Sequence, residues 1–280
     1  MSELLLANES LIRITLFLAI LVAMTAWEAV APRRQRELSR LLRWSNNLGL
    51  VLIDRLLLQL SFPIFAVGLA LLAEERGWGL LNSVELPFGL AWLVSLLALD
   101  LAIYLQHVLF HAVPALWRLH RVHHADLEFD VTTGLRFHPV EILLSMGIKL
   151  AVVAALGPPA IAVFVFEVLL NATSMFNHSN VRIPLGLDRI LRWIVVTPDM
   201  HRVHHSIHPN ETNSNFGFNL PWWDRLLGTY RAQPQEGHAG MTIGIEQFRT
   251  PRELWLDRLL IQPLRGPASG YPINRETDAK

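Results

Sequence analysis

Apolar stretches long enough to cross a lipid bilayer fill much of the first two thirds of this sequence. Three occur early, at about Leu11–Ala31, Asp54–Leu72 and Phe88–Gln106. A later block, at about Ile142–Phe176, is interrupted by Gly-Pro-Pro at 157–159, and because these residues break helices we expect two helices joined by a tight turn. About 20 apolar residues cross a bilayer as a helix. The fold class predicted is therefore an all-α, polytopic integral membrane helical bundle with a cytoplasmic, histidine-rich helical cap.

Basic residues between the stretches predict the orientation of this bundle. The loop after the first stretch contains five arginines between Arg33 and Arg43, whereas the loop after the second contains Arg76 among three glutamates. Positively charged loops face the cytoplasm. The split block leaves the cytoplasmic side and returns, so the polar regions on either side of it face the same compartment. We expect a multi-pass protein of a bacterial inner membrane, with the first stretch retained as a span rather than removed as a signal peptide.

Composition excludes several kinds of site and partner. The sequence has no cysteine, which excludes disulfides, cysteine-ligated zinc, iron–sulfur clusters and thiolate-ligated haem. The formal net charge is zero and there is no long basic run, so nucleic acid is not an expected partner. Histidine and carboxylate side chains remain as the strong metal ligands.

One pentapeptide, His-Arg-Val-His-His, occurs twice, at His120–His124 and at His201–His205. A further pair, His107 and His111, follows the third apolar stretch. Residues three and four apart share one face of a helix, so each set can present its imidazoles together. Ordinary start signals precede both pentapeptides: a proline at position 114, and Thr197 as an N-cap followed by proline.

These histidines predict a metal centre. A single histidine is more often only hydrogen-bonded, but eight at ligand spacing would repel one another if charged and would need many partners if neutral and buried. His178 ends a helical stripe of polar residues and is counted as a ninth ligand, with a hydrogen-bonded histidine at a helix end as the alternative. The predicted ligands are His107, His111, His120, His123, His124, His178, His201, His204 and His205.

Four further residues are predicted to orient the ligands. Asp100 shares a polar stripe with Tyr104 and His107 on the third stretch, and ionisable groups within a span usually face a functional interior. Asp100 and Glu167 are expected to orient imidazoles, or else to be buried acids paired with each other or with arginine. The other two are His138, expected to cap a helix or orient a ligand, and Asp199. We interpret His208 and His238 as ordinary loop histidines.

In three places the sequence resembles the fatty acid hydroxylase / sterol desaturase superfamily. "HVLFH" at 107–111 and the two copies of "HRVHH" match its three histidine boxes in order, and "RFHP", "NHSN" and "NSNFGFNLPWWDRLLGTY" resemble the segments around them. The resemblance covers roughly residues 90–232. It implies a membrane-bound non-haem di-iron enzyme that uses O2 and external electrons to hydroxylate, desaturate or cleave a lipid.

The resemblance also implies the organisation of the chain. We divide it into N-terminal transmembrane helices (1–87), a fatty acid hydroxylase-like catalytic domain (88–232) and a cytoplasmic tail (233–280). In the tail, "TPRE" at 250–253 predicts a capping box that opens a helix along the membrane surface. The implied cofactors are two iron ions with O2 as co-substrate, and the implied partners are a lipid and a separate ferredoxin, cytochrome or reductase.

Other classes of function are less consistent with the pattern. A membrane metalloprotease would need His-Glu-x-x-His, which the sequence lacks. A metal transporter would carry its ligands at the bilayer midplane on interrupted helices, whereas these boxes are predicted beyond the helix ends. A lipid or sterol desaturase of the same superfamily and a non-catalytic membrane metal-binding or transport protein remain as alternatives, as does a structural zinc protein. Sterols, carotenoids, ether lipids, ornithine lipids and fatty acyl chains are all compatible substrates.

Overall fold

The computed structural model describes residues 2–268 and 270–273, and these form helices without a named strand. The described residues also contain four 3-10 helices and two isolated bridges, Pro32 with Val181 and Ser206 with Ile243. The helices are α1 Ser2–Ala7, α2 Glu9–Val30, α3 Arg40–Ser61, α4 Ala66–Arg76, α5 Phe88–Ala112, α6 Pro114–His124, α7 Pro139–Leu156, α8 Ala160–Asn177, α9 Leu185–Leu191, α10 Pro198–His204, α11 Pro209–Thr212, α12 Trp222–Leu226, α13 Gly237–Gly240 and α14 Leu256–Ile261.

Within the described residues, five segments are long and apolar enough to cross a membrane, which confirms the predicted class of fold. They are Glu9–Val30, Arg40–Asn82, Phe88–Ala112, Pro139–Leu156 and Ala160–Asn177. Two boundaries differ from the prediction. The second span begins at Arg40 and contains a break after Ser61, and α5 continues past Gln106 through His107 and His111. The predicted placement of the first box beyond the helix end is therefore wrong.

Tertiary contacts explain why α3 begins so far before its apolar run. Arg43 is fully buried and donates to both carboxylate oxygens of Asp126 at 2.8 and 2.7 Å, and to Asp130. One turn later, Asn47 donates to Thr132 at 3.1 Å. Polar turns of this kind are helical because of what they pack against. Hydropathy alone therefore places the start of α3 too late.

The Gly-Pro-Pro break separates α7 from α8, as predicted. Gly157 is the C-cap of α7 with φ 62°, in the left-handed region that favours glycine, and Pro159 is the N-cap of α8. A Cβ atom at Gly157 would lie 2.4 Å from the carbonyl oxygen of Trp78, so the loop after α4 packs directly on this turn. The turn and that loop therefore lie at one end of the bundle.

The opposite end of the bundle carries a polar cap. The cap contains α6, the segment that follows it to residue 138, and the described residues after α8. α2 and α8 run parallel: Arg13, near the start of α2, pairs with Glu167 in the middle of α8 at 2.7 Å, and further along Glu28, near the end of α2, accepts from the backbone N–H of Asn180, just after α8, at 2.9 Å. Between the helices, small residues such as Ala66 and Ala70 pack against Val163 and let backbones approach closely. α2, α5 and α8 consequently end at the cap, where α6 and α10 begin.

The predicted capping box at 250–253 is wrong. Pro251–Leu254 is a 3-10 helix in which the Thr250 side chain makes no capping hydrogen bond, and Trp255 is extended before α14. The backbone N–H of Leu256 is instead satisfied by the Asn46 side chain of α3, at 2.7 Å. Leu259 is fully buried beside Leu50 of α3, so this segment packs on the cap by its apolar face.

Candidate metal centre

Nine buried histidines form two adjacent groups where the bundle meets the cap. In each group one ring nitrogen from every member lies within 4.8 Å of the others. The first group is His107, His111, His120, His124 and His204, and the second is His123, His178, His201 and His205. The structure therefore brings together all nine residues predicted as ligands.

Each pentapeptide contributes to both groups. In α6, His120 and His124 belong to the first group and His123 to the second; around α10, His201 and His205 belong to the second group and His204 to the first. Residues four apart lie nearly in line along a helix, whereas the residue between them is rotated aside. The repeated string thus gives the two groups a reciprocal arrangement, with histidines from both copies in each group.

Ring-nitrogen distances fit metal binding. Nε2 of His107 lies 3.1 Å from Nε2 of His120 and 3.0 Å from Nε2 of His204. In the second group, Nε2 of His178 lies 3.1 Å from Nε2 of His123 and 3.0 Å from Nε2 of His201. Ligand nitrogens bound about 2.0–2.1 Å from one metal ion are separated by roughly 3.0–3.4 Å. The converging Nε2 atoms therefore have the spacing of nitrogens that share an ion.

Unpartnered nitrogens point to the same conclusion. Neither ring nitrogen of the buried His205 has a hydrogen-bond partner among the described residues. A buried imidazole without any partner is costly. A metal ion bound by the second group would give one of these nitrogens a partner, so the residues present fit the metal that the sequence predicts.

The Nδ1 atoms of five histidines are oriented by acceptors outside the groups. His107 and His204 each donate to a backbone carbonyl at 2.7 Å, those of Phe216 and Ser214, and His178 donates to that of Ser174 at 2.8 Å. A proton fixed on Nδ1 leaves the Nε2 lone pair free to bind a metal. These contacts therefore select the ligand-competent tautomer.

Two side chains perform the same task. His111 Nδ1 lies 3.0 Å from Oδ1 of Asn213, and His120 Nδ1 lies 2.6 Å from Oε1 of Glu141. Sequence reasoning missed both Asn213 and Glu141. The available signals were the position of Glu141 in the first turn of α7, just after "RFHP", and the position of Asn213 in a segment that resembles the family.

Burial keeps the histidines outside the spans neutral. It lowers the pKa of His120 and of His178 to about 3. Burial, with neighbouring imidazoles second, also holds the pKa of other group members well below the usual value: His123, His124, His201, His204 and His205. Neutral imidazole is the form that binds a metal ion, so these groups are ready to act as ligands near pH 7.

The residues predicted to orient the ligands lie elsewhere. Asp100 accepts from Asn219 at 2.7 Å and from Trp223 at 2.8 Å. Glu167 pairs with Arg13 and Lys149, the alternative that the sequence left open. No described contact joins Asp100 or Glu167 to the nine histidines.

The remaining two predicted residues also have other partners. Asp199 pairs with Arg33 at 3.0 Å and with Arg202. His138 caps α7 by accepting from the Val140 N–H at 3.2 Å, which confirms the capping prediction. His238 is buried beside Asp199, so it is not the ordinary loop histidine that the sequence indicated. His208, by contrast, is only partly buried and lies 3.2 Å from Glu236.

Aromatic rings cover the histidine groups on several sides. Phe137 stacks on His123 with ring centroids 4.5 Å apart, and Phe218 lies 5.2 Å from His107 and 5.9 Å from His201. Apolar rings around a metal site lower its dielectric and limit access of water. These rings, together with burial, therefore shield the groups from solvent where the bundle meets the cap.

Comparisons with known proteins agree with this site. Residues 92–229 match the family model for fatty acid hydroxylase. An alkylglycerol monooxygenase from Danio rerio is 31% identical over 189 residues, 66% of this chain and 40% of that protein. The ornithine lipid hydroxylase OlsE from Rhizobium tropici is 33% identical over 159 residues, 56% of this chain and 46% of that protein.

A third relative, cholesterol 25-hydroxylase from Mus musculus, is 30% identical over 145 residues, 51% of this chain and 47% of that protein. The chain thus matches less than half the length of these relatives. No solved structure gave a significant match. All nine histidines lie inside the matched residues, and the chain belongs to the fatty acid hydroxylase superfamily.

Proposed function

We propose that this chain is a membrane-bound, non-haem di-iron oxygenase that hydroxylates a lipid. The observation that carries the proposal is the pair of buried histidine groups, each with converging Nε2 atoms. All-histidine sites of nitrogen ligands suit iron among the metals that activate O2. The relatives' names, which specify an alkylglycerol, an ornithine lipid and cholesterol, support a lipid as the substrate class.

Two bound iron ions would supply the O2 chemistry and the oxidising strength that no side chain has. The protein's own residues would hold the ions, fix the imidazole tautomers and exclude water. Glu141 and Asn213 would keep His120 and His111 in place through their Nδ1 atoms. The surrounding phenylalanines would keep the reacting lipid away from solvent.

The proposal includes an external electron donor. Insertion of one oxygen atom of O2 into a C–H bond, with reduction of the other to water, requires two electrons and two protons. We propose that a separate reductase, ferredoxin or cytochrome supplies them at the cap. The cap is proposed to face the cytoplasm, because the arginine-rich segment between α2 and α3 lies beside it and positively charged loops favour that side.

Oxygen-isotope labelling tests this function. Membranes that contain the protein are incubated with lipid extract, a reducing system and 18-O2, and lipids are examined by mass spectrometry. We expect label in a hydroxylated lipid for the wild type and none for His204→Ala, which removes a member of the first group. His208→Ala is the matched control, because His208 lies outside both groups and should leave the product unchanged.

Other outcomes distinguish the alternatives. An O2-dependent new double bond without label would favour the desaturase of the same superfamily. If the protein binds metal but consumes no O2 in the presence of any lipid, a non-catalytic metal-binding or transport protein is favoured. A lipid product that forms equally without O2 would overturn the oxygenase proposal.

A further inference from the structure

A cavity of about 530 Å³ lies beside the first histidine group, between α5 and residues 209–229 of the cap. Its volume falls within the range of about 300–1,000 Å³ typical of small-molecule sites. Asn213 and Phe216 line its inner wall. Asn213 accepts from His111, and the ring of Phe216 lies 5.0 Å from that of His111, so the cavity is one side chain away from the predicted metal ligands.

The mouth of the cavity is continuous with the lipid-facing surface of the bundle. Leu105 lines it from the spanning helix α5 and is 51% exposed, and Leu227 lines it from the cap and is 56% exposed. The segment that carries Leu227 is held against α5 by Trp223, which donates to Asp100 within the span. A molecule can therefore enter this cavity sideways from the bilayer.

The lining is polar in places but uncharged. Tyr104 and Thr229 are joined by a hydrogen bond of 2.8 Å between their hydroxyl groups, and Asn210 and Asn213 add two amides. Among residues 2–268 and 270–273, none that lines the cavity has a charged side chain. Hydroxyl and amide groups can bind a ligand's hydroxyls, whereas a charged group placed here would lose hydration without gaining an ionic partner.

We propose that this cavity binds the electroneutral, hydroxyl-bearing end of a lipid and disfavours lipids whose head groups carry charge. As a statement about the substrate, the inference rests on the proposed function. It favours an uncharged alkylglycerol or sterol over a zwitterionic ornithine lipid as the substrate class. Asn210 and the hydroxyl oxygens of Tyr104 and Thr229, as acceptors, are the groups that recognise the hydroxyls. The Thr229 hydroxyl itself donates to Asp224, and the Asn213 amide is held between His111 and the Tyr271 carbonyl.

Photo-crosslinking with the full chain in nanodiscs tests the binding site directly. Two probes carry the same alkyl chain with a diazirine next to the head group, one as an uncharged glycerol ether and the other as an ornithine lipid, and the labelled peptides are mapped by mass spectrometry. We expect the glycerol ether to label residues 104–108 and 209–229. We expect the ornithine probe to label them about tenfold less, a difference equivalent to about 1.4 kcal/mol.

Two leucines on α5 provide a matched pair of variants. Leu105→Trp fills the mouth and should reduce labelling by about tenfold. Leu109→Trp should leave labelling unchanged, since Leu109 is also exposed, at 42%, but does not line the cavity. Both positions are on the surface, so neither change disturbs the core.

Equal labelling of these residues by both probes, or equal labelling in the Leu105→Trp and Leu109→Trp variants, would overturn the inference. The photo-labelling result does not depend on whether the protein converts the probe to a product. If the glycerol ether labels these residues selectively but no 18-O-labelled lipid forms, the binding site is supported and the proposed function is refuted. Incorporation of label from 18-O2 into lipid, with photo-labelling only at other residues, would support the proposed function and refute this binding site.

Discussion

At the scale of single residues, the site depends on acceptors that hold the far side of each imidazole. Glu141 is the only one of the five observed acceptors that is a carboxylate, and it lies 2.6 Å from His120. A carboxylate behind a ligating histidine fixes the ring and increases its basicity. Glu141 is therefore the acceptor whose replacement is most informative.

Glu141→Ala is expected to weaken metal binding about 10- to 100-fold, the usual effect of losing such a partner. Glu141→Gln retains an acceptor and should lose less. The measurement is the metal content of purified protein during titration with a chelator. Glu236→Ala is the matched control, because Glu236 lies beside His208 in a second carboxylate–histidine pair outside the metal groups. Equal chelator sensitivity in all three variants would contradict the assigned role.

The sequence predicted the identity of the nine clustered histidines, because ligand spacing on a helix is a local property. It did not predict their orienting partners, because these come from distant segments: Phe216 reaches His107 across 109 positions and Asn213 reaches His111 across 102. Asp100 was misjudged for the same reason. A polar stripe on a span shows which face is buried, but not what that face meets.

At the scale of secondary structure elements, the two helices around the Gly-Pro-Pro break were predictable because proline and glycine act locally. The start of α3 was not, since Arg43 and Asn47 are helical through contacts with residues more than 80 positions away. The capping box predicted at 250–253 was wrong for a similar reason. There, Asn46 of α3 accepts from the backbone N–H of Leu256, which a continuous helix from Pro251 would have bonded to its own carbonyl four residues back.

Replacement by alanine is expected to have opposite effects on stability at two glycines, Gly147 within α7 and Gly157 at its C-cap. Gly157→Ala should destabilise the protein by on the order of 1–3 kcal/mol, because φ is 62° and the new Cβ would meet the Trp78 carbonyl. Gly147→Ala should stabilise it by about 0.5–1 kcal/mol, because Gly147 lies within α7 with open space around it. Melting temperatures in detergent compare the two. A higher melting temperature for Gly157→Ala would contradict the described turn.

At the scale of the whole molecule, five spans deliver three helix ends and two helix starts to one cap. The parity of crossings predicted that both pentapeptides would lie at the same end, and their shared histidine groups confirm this. The side of the membrane that the cap faces stays a proposal, as does the division of the chain at residues 88 and 232. Packing within the chain determines neither the side of the membrane that the cap faces nor the boundaries of the domains.

Cysteine labelling tests the orientation, and the cysteine-free sequence makes it clean. Single cysteines at Gln35 and Glu236 should react only from the cytoplasmic side, because both positions are exposed at the cap. A cysteine at Glu85, in the exposed loop that leads into α5 at the opposite end, should react only from the other side. Labelling of Gln35 and Glu236 from opposite sides would be incompatible with the one-cap fold.

Metal analysis of the purified chain tests the central claim, that the two histidine groups form two adjacent metal sites. The wild type should contain about two transition-metal ions per chain, iron in the active form. Replacement of His201 and His205 together by alanine, which affects only the second group, should leave about one ion, and replacement of His111 and His204 should do the same for the first. His208→Ala should retain both. One ion in the wild type, or unchanged metal content in both double variants, would contradict the account.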